Sequence, residues 1–338
     1  MERKQAKELV IRAGHELVRA GLIARTWGNV SCRIDETGFV ITPSGREYQT
    51  LAPDDIVEVK IKDLSYSGNI VPSSEMGVHR AVYQLRPKSN FIIHTHQDNA
   101  SAISAAGLDL FKPPADYSKL GNEVVCAEYA LPGTKALCEN VAAALKAVSG
   151  NAVIMKHHGV ICFGESYEDA FQAVYQLETA SKEFIREKAG ERRGEASGAN
   201  SQDDRNASST EAKEFLAGKG PCFNEKERVL TAWNASGTPG HIRFVTDCDV
   251  VRFSRLGIDL RPLLDDFAQI VGAKIKTVEL DTDLIFSALK SVSAVFVKDL
   301  GAVCRGQNER DAEAVGMIVR KNCTAYFTAS ALGRISYI

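Results

Sequence analysis

The chain has no CxxC pair, no block of basic residues and no long apolar run, and each absence removes a class of function. Its eight cysteines are scattered between Cys32 and Cys323, which excludes a thiolate zinc knuckle or a dithiol redox motif and suits thiols kept reduced in a cytoplasm. A formal charge of −2 without a basic cluster offers nothing to nucleic acid or to an anionic membrane. No stretch approaches the roughly 18 apolar residues of a membrane helix, and the charged opening MERKQAKELV lacks the apolar centre of a signal peptide. A cytoplasmic protein with neither membrane nor nucleic-acid partners is therefore expected. What is present is core material, since 338 residues that are 44% hydrophobic can fill two ordinary domains.

The clearest break in composition is EKAGERRGEASGANSQDDRNASST, residues 187–210, which lacks large apolar side chains and cannot offset its ordering entropy. It predicts a first domain over 1–186, a flexible linker over 187–212 and a second domain over 213–338. Within the first domain, helical spacing over ERKQAKELVIRAGHELVRAGL, MGVHRAVYQLRP, GTKALCENVAAALKAV and SYEDAFQAVYQLETASKEFIREK alternates with strand patterns in GFVI, FIIHTH and NAVIMKHHGVICFG. That alternation argues an α/β class, a sheet flanked by helices.

After the linker the sequence repeats itself in degraded form. GLDLFKPPADYSKLG (107–121) aligns with GIDLRPLLDDFAQIVG (257–272), pairing Asp116 with Asp266 and Tyr117 with Phe267. AVIMKHHGVICFGESYEDA (152–170) aligns with AVFVKDLGAVCRGQNERDA (294–312), where Ala, Val, Lys, Gly, Cys, Asp recur in register. A second copy of the fold is inferred. Opposite His94 and His96 stand Phe244 and Thr246, and opposite His157 and His158 stand Asp299 and Leu300. Packing residues survive in both halves and ionisable ones in one, which marks the histidines as chemical rather than structural.

Two imidazoles at HTH share one face of a strand because successive strand side chains alternate. With SSE (73–75) and KHHG (156–159) they make a set of imidazoles and a carboxylate without thiolate, which suits Zn²⁺ better than the all-oxygen shells of calcium or magnesium. On a strand only one of His157 and His158 could join them, and spacing does not choose. Separately, TWGNVS (26–31), TPSG (42–45) and PSSE (72–75) place small polar residues beside glycine and at a helix start, the makings of an anion cradle.

The order GNVS, TPSG, SSE, HTH, KHHG over residues 1 to about 186 resembles the class II aldolase and adducin head family. The resemblance implies a three-layer domain with a central, mainly antiparallel sheet, followed here by a degenerate pseudo-repeat that lacks the metal ligands. It implies zinc held by His94, His96 and His158. It makes Glu75 the acid/base group that also meets the metal, and gives Asn29, Ser44, Gly45, Ser73 and Ser74 the phosphate of a sugar phosphate. A catalytic tyrosine is implied, for which Tyr117 is the nearest candidate, as is assembly into homo-oligomers with sites between subunits. The implied activity is aldol cleavage or formation of a short-chain ketose phosphate. The same site in the family supports pentulose-phosphate epimerisation, methylthioribulose-phosphate dehydration or decarboxylation, and a non-catalytic adducin-like scaffold is the alternative of another class. The second copy is expected to cover the cleft in a neighbour's place or to serve as a dimerisation surface.

Overall fold

The computed structural model of the protein describes residues 1–23, 26–114, 116–196 and 221–338. The first unit runs α1 (Arg3–Arg19), β1 (Asn29–Arg33), β2 (Gly38–Ile41), β3 (Val57–Lys60), α2 (Met76–Leu85), β4 (Phe91–Thr95), α3 (Asp98–Ala105), β5 (Leu110–Phe111), β6 (Val124–Ala127), α4 (Lys135–Ala147), β7 (Ala152–Met155), β8 (Gly159–Gly164) and α5 (Tyr167–Ala196). Its eight strands form one sheet in the order β3-β2-β1-β4-β8-β7-β6-β5, in which β6 and β7 alone pair in parallel.

Both faces of the sheet are covered, which is why FIIHT is buried throughout. Phe91 and Ile93 point into a core with α1, α3 and α5, through Val10, Leu17, Ile103 and Phe171. Ile92 points the other way, against Val78, Val82, Leu137 and Val141 of α2 and α4. The period of two then carries His94 to the α2 side, where that helix begins. Local signals set the helix ends. The Thr134 hydroxyl accepts from Leu137 N at α4, the Ser166 hydroxyl accepts from Asp169 N at α5, and α2 stops two residues before Pro87. Helix α5 continues through Ala196, past the start of the expected linker, and residues 197–212 of that linker lie outside the described residues.

The second unit runs α6 (Pro221–Ala235), β9 (His241–Val245), α7 (Cys248–Ser254), α8 (Asp265–Ile270), β10 (Thr277–Val278), α9 (Thr282–Leu289), β11 (Ala294–Val297), β12 (Gly301–Gly306) and α10 (Glu309–Ala331). Its sheet order, β10-β11-β12-β9, is that of β6-β7-β8-β4 in the first unit, with the same single parallel pair. The registers coincide as well: Phe244 lies opposite Val303 as His94 lies opposite Ile161, and Ala294 opposite Cys304 as Ala152 opposite Cys162. The repeat read from the sequence is thus a repeat of one half of the first sheet. Among the described residues nothing corresponds to β1–β3, whereas α6 takes the place of α2: it ends six residues before β9 as α2 does before β4, and its Val229 and Trp233 pack with Ile285 and Leu289 of α9. The units meet through α3, whose Ala102 and Ala105, with Ala106 just beyond its end, are part of the second unit's apolar core beside Val315 and Ile318 of α10.

Candidate metal centre

His94 stands at the end of β4 and His96 just beyond it, while Lys156, His157 and His158 form the turn between β7 and β8. The turn, and not strand alternation, separates the two adjacent histidines. His157 takes a left-handed backbone (φ 57°), aims its Nδ1 at the Leu263 carbonyl 3.0 Å away and packs edge-on to Tyr129. His158 turns inward and stacks on His94 with ring centroids 5.0 Å apart. The ligand atoms of His94, His96 and His158 all lie within 4.8 Å of one another, and all three residues are buried.

Glu75, the residue before α2, completes the cluster. Its Oε2 is 3.0 Å from His94 Nε2 and its Oε1 is 2.8 Å from His158 Nε2. Burial works to raise its pKa, but the neighbouring His94 and His158 outweigh burial and hold the carboxyl well below the usual range. Burial likewise opposes a charge on His158, yet Glu75 and Asp265 overcome it and lift that imidazole to about 9. His96 shows the opposite balance: burial dominates and drops it to about 3.

These hydrogen bonds test whether the site fits a cation. His94 Nδ1 faces the Val160 carbonyl at 2.8 Å, so a neutral His94 carries its proton there and leaves a bare lone pair on Nε2; only positive charge, on the ring or on a bound cation, lets Nε2 meet Glu75 Oε2 at 3.0 Å. That lone pair faces His96 Nε2 at 3.0 Å. If His96 carries its proton on Nδ1, two lone pairs confront each other. If it carries the proton on Nε2, its bare Nδ1 faces the Asp266 carboxylate 3.6 Å away. An imidazolium would satisfy both sides, but burial opposes it. A cation among the three Nε2 atoms removes the conflict, and three neutral nitrogens with a carboxylate are a donor set that divalent transition metals favour.

A buried polar chain holds Glu75 from behind. Asn29 Nδ2 donates to Glu75 Oε2 at 2.8 Å, Asn29 Oδ1 meets His79 Nε2, and His79 Nδ1 lies 2.6 Å from the Ser31 hydroxyl, itself 2.7 Å from the Tyr83 hydroxyl. His79, dropped to about 3 by burial, is neutral there. The segments expected to hold phosphate are brought together beside this chain. Ser44 N donates to Val71 O at 2.9 Å, Ser73 N to Thr42 O at 3.1 Å, and Ser73 Oγ accepts from Glu75 N at 3.3 Å. Ser44, Gly45 and Ser74 are exposed, whereas Asn29 and Ser73 are buried. Gly45 has φ +69° and open space around its α-carbon, as a turn that lets a ligand approach backbone requires.

Tyr117 is not among these contacts. Its hydroxyl donates to Glu183 Oε2 on α5 at 2.5 Å, and that bond, together with burial, pushes its pKa up to about 12. Asp265, Asp266 and Lys321 reach the cluster from the second unit without having been singled out by the sequence. The aligned Asp116–Asp266 pair was their one signal, and it said nothing of where Asp266 would point.

Comparison with known proteins agrees with this geometry. The family model described as Class II Aldolase and Adducin N-terminal domain matches residues 8–185 and stops short of the second unit. An L-fuculose phosphate aldolase of Escherichia coli (strain K12) is 34% identical over 189 residues, which is 55% of this chain and 85% of that protein. A 5-deoxy-D-ribulose 1-phosphate aldolase of Bacillus thuringiensis is 31% identical over 55% of this chain and 87% of its own length. An L-ribulose-5-phosphate 4-epimerase of Salmonella paratyphi C is 32% identical over 53% of this chain and 83% of its own length. Among solved structures, an L-fuculose 1-phosphate aldolase superposes with a TM-score of 0.51 at 31% identity, over 55% of this chain and 87% of that one.

Proposed function

The chain belongs to the class II aldolase and adducin family, and from that premise we propose that it is a zinc-dependent aldolase acting on a short-chain ketose phosphate. The observation that carries the reading is the lone-pair conflict between His94, His96 and Glu75, which a divalent ion resolves. Bound Zn²⁺ would supply Lewis-acid stabilisation of negative charge on substrate oxygen. His94, His96 and His158 would hold it.

The remaining work falls to the chain's own residues. In the direction of bond formation, Glu75 takes a proton from the carbon beside the ketone. That carbon attacks an aldehyde, and a tyrosine hydroxyl gives its proton to the aldehyde oxygen; cleavage is the reverse. Asn29, bonded to Glu75 and adjoining the cradle, orients the carboxylate, and Ser44, Gly45, Ser73 and Ser74 fix the phosphate so that binding energy far from the reacting carbon sets its position. Tyr117 is engaged with Glu183 on its own chain, so in this reading it serves the cluster of a neighbouring copy in a homo-oligomer. None of the described helices is long and apolar enough to cross a membrane, and a cytoplasmic site of action accords with this.

The test is assay of zinc-loaded protein with dihydroxyacetone phosphate and a set of small aldehydes. Product should form, vanish after chelation and return with zinc, and Glu75→Gln should lower turnover about 10²- to 10⁴-fold. Full activity in chelated enzyme or in Glu75→Gln overturns the proposal. The 32% identity to a pentulose-phosphate epimerase supports a second reading on the same residues, to be assayed in parallel with L-ribulose 5-phosphate.

A further inference from the structure

Each of the three clustered imidazoles turns its Nε2 inward, so each has an Nδ1 on the outside that needs an acceptor. Only one of the three acceptors belongs to the first unit: the Val160 carbonyl, 2.8 Å from His94 Nδ1. The other two are consecutive residues at the start of α8 in the second unit. Asp265 Oδ2 lies 3.2 Å from His158 Nδ1, and Asp266 Oδ2 lies 3.6 Å from His96 Nδ1. Both carboxylates are nearly inaccessible, at 4% and 1% exposure.

We infer that the degenerate second unit is a working part of the metal centre: Asp265 and Asp266 are positioning residues that fix the tautomers of His158 and His96 and raise their strength as ligands. The inference rests on the metal reading above and deepens it. A metal-bound imidazole that donates its other N–H to a carboxylate is held in one orientation and becomes more basic.

Other contacts show that the two carboxylates are anchored for this role. Asp265 accepts from the Tyr129 hydroxyl at 3.0 Å, and its backbone N donates to the His157 carbonyl at 2.9 Å, one residue from the ligand it serves. Asp266 pairs with Lys321 of α10, whose Nζ also donates to the His96 carbonyl at 3.3 Å. At the aligned position of the first unit, Asp116 is exposed. One atom on each side of this buried pair is left without a hydrogen-bond partner, His96 Nδ1 and Asp266 Oδ1. Burying an unpaired charge or lone pair costs stability, so a network that served only to glue two units together would be expected to close that gap.

The test uses the full-length chain stripped of metal. Zn²⁺ is titrated against a chromophoric chelator, and Co²⁺ is followed by its visible absorption. Asp265→Asn and Asp266→Asn should each weaken zinc binding about 10- to 100-fold and shift the cobalt bands. Arg310→Ala, which removes an exposed contact between the same two units at Glu47 and Gln49, should change neither. Should Asp266→Asn fail to fold because Lys321 loses its counter-ion, Asp265→Asn leaves no cation unpaired and carries the test alone. Parent-like zinc affinity in Asp265→Asn, with a lowered unfolding midpoint of the metal-free protein, would make these carboxylates interface glue and overturn the inference. If the parent itself binds neither ion, the metal reading fails and this inference with it.

Discussion

The two units place the same backbone around different chemistry. Strand order, pairing sense and register agree residue for residue, and so does an unusual detail: the turn residues His157 and Asp299 both adopt a left-handed backbone, with φ of 57° and 60°. Yet among the described residues the cluster exists once. Phe244 and Thr246 stand where the first unit has His94 and His96, and Leu300 is buried where it has His158. Among its described residues the second unit also lacks β1–β3, and with β1 the Asn29 and Ser31 of the polar chain behind Glu75. The difference teaches which residues the scaffold needs. Glycines that face a neighbouring strand's carbonyl cannot change without moving backbone, whereas a ligand can be replaced by a hydrophobe that packs. The buried charges of its described residues, Asp265, Asp266 and Lys321, the second unit directs at the other unit's histidine segments.

The largest effect should come from copying the second unit's choice into the first. His158→Leu reproduces Leu300, a substitution that this backbone demonstrably accommodates. The variant should fold, bind no stoichiometric zinc and lose about 10³-fold or more in aldolase activity, since two imidazoles do not make a catalytic zinc site. Metal analysis alongside circular dichroism checks it. A variant that retained zinc and turnover would dissolve the distinction between a chemical unit and a framework unit.

Most of that distinction was legible in the sequence, and where it was not the reason is geometric. The strands, the main helices and the repeat followed from periodicity and from glycine, proline and capping signals, because these act within a few residues. HTH could be read as two ligands on one face because strand geometry is local too. Spacing did not choose between His157 and His158, which only the family resemblance assigned, since the two residues occupy a turn whose left-handed residue, and not alternation, decides which ring points inward. The role of LLDDF was hidden for a stronger reason. Its aspartates meet histidines more than a hundred residues away, across an interface between units, and no local pattern encodes such a pairing. Asn29 reads as a phosphate ligand by motif, but its amide bonds to Glu75, a contact spanning 46 residues.

An intermediate effect should separate framework from chemistry at equivalent glycines. A Cβ on Gly159 would lie 2.6 Å from the Thr95 carbonyl oxygen and 3.1 Å from ring atoms of His94 and His96. A Cβ on Gly301 would lie 2.3 Å from the Val245 carbonyl oxygen, with φ of +120° as a further cost. Both alanine variants should lose about 2–4 kcal/mol in denaturant unfolding, Gly301→Ala the more, because strand pairing must open to admit the methyl group. Only Gly159→Ala should also weaken metal binding. Equal loss of metal affinity in both would mean that the second unit shapes the cluster by its whole fold and not through two side chains.

The smallest effect concerns the aligned pair Tyr117 and Phe267, which differ by one hydroxyl. Phe267 is wholly buried in the second unit's core beside Leu263 and Leu264, whereas Tyr117 is half-buried with its hydroxyl on Glu183. Phe267→Tyr must bury a hydroxyl among apolar neighbours, so it should cost about 1–3 kcal/mol in unfolding free energy. Tyr117→Phe gives up one hydrogen bond at the surface and should cost about 1 kcal/mol or less. If Tyr117 also donates a proton to the aldehyde oxygen, the cheaper substitution for stability becomes the dearer one for turnover. The two readouts then move in opposite directions across one aligned position. Should Tyr117→Phe leave turnover of the zinc-loaded enzyme unchanged, the tyrosine belongs with the framework in both units, and the proton donor must be sought closer to the histidines, with Tyr129 and its bond to Asp265 the first place to look.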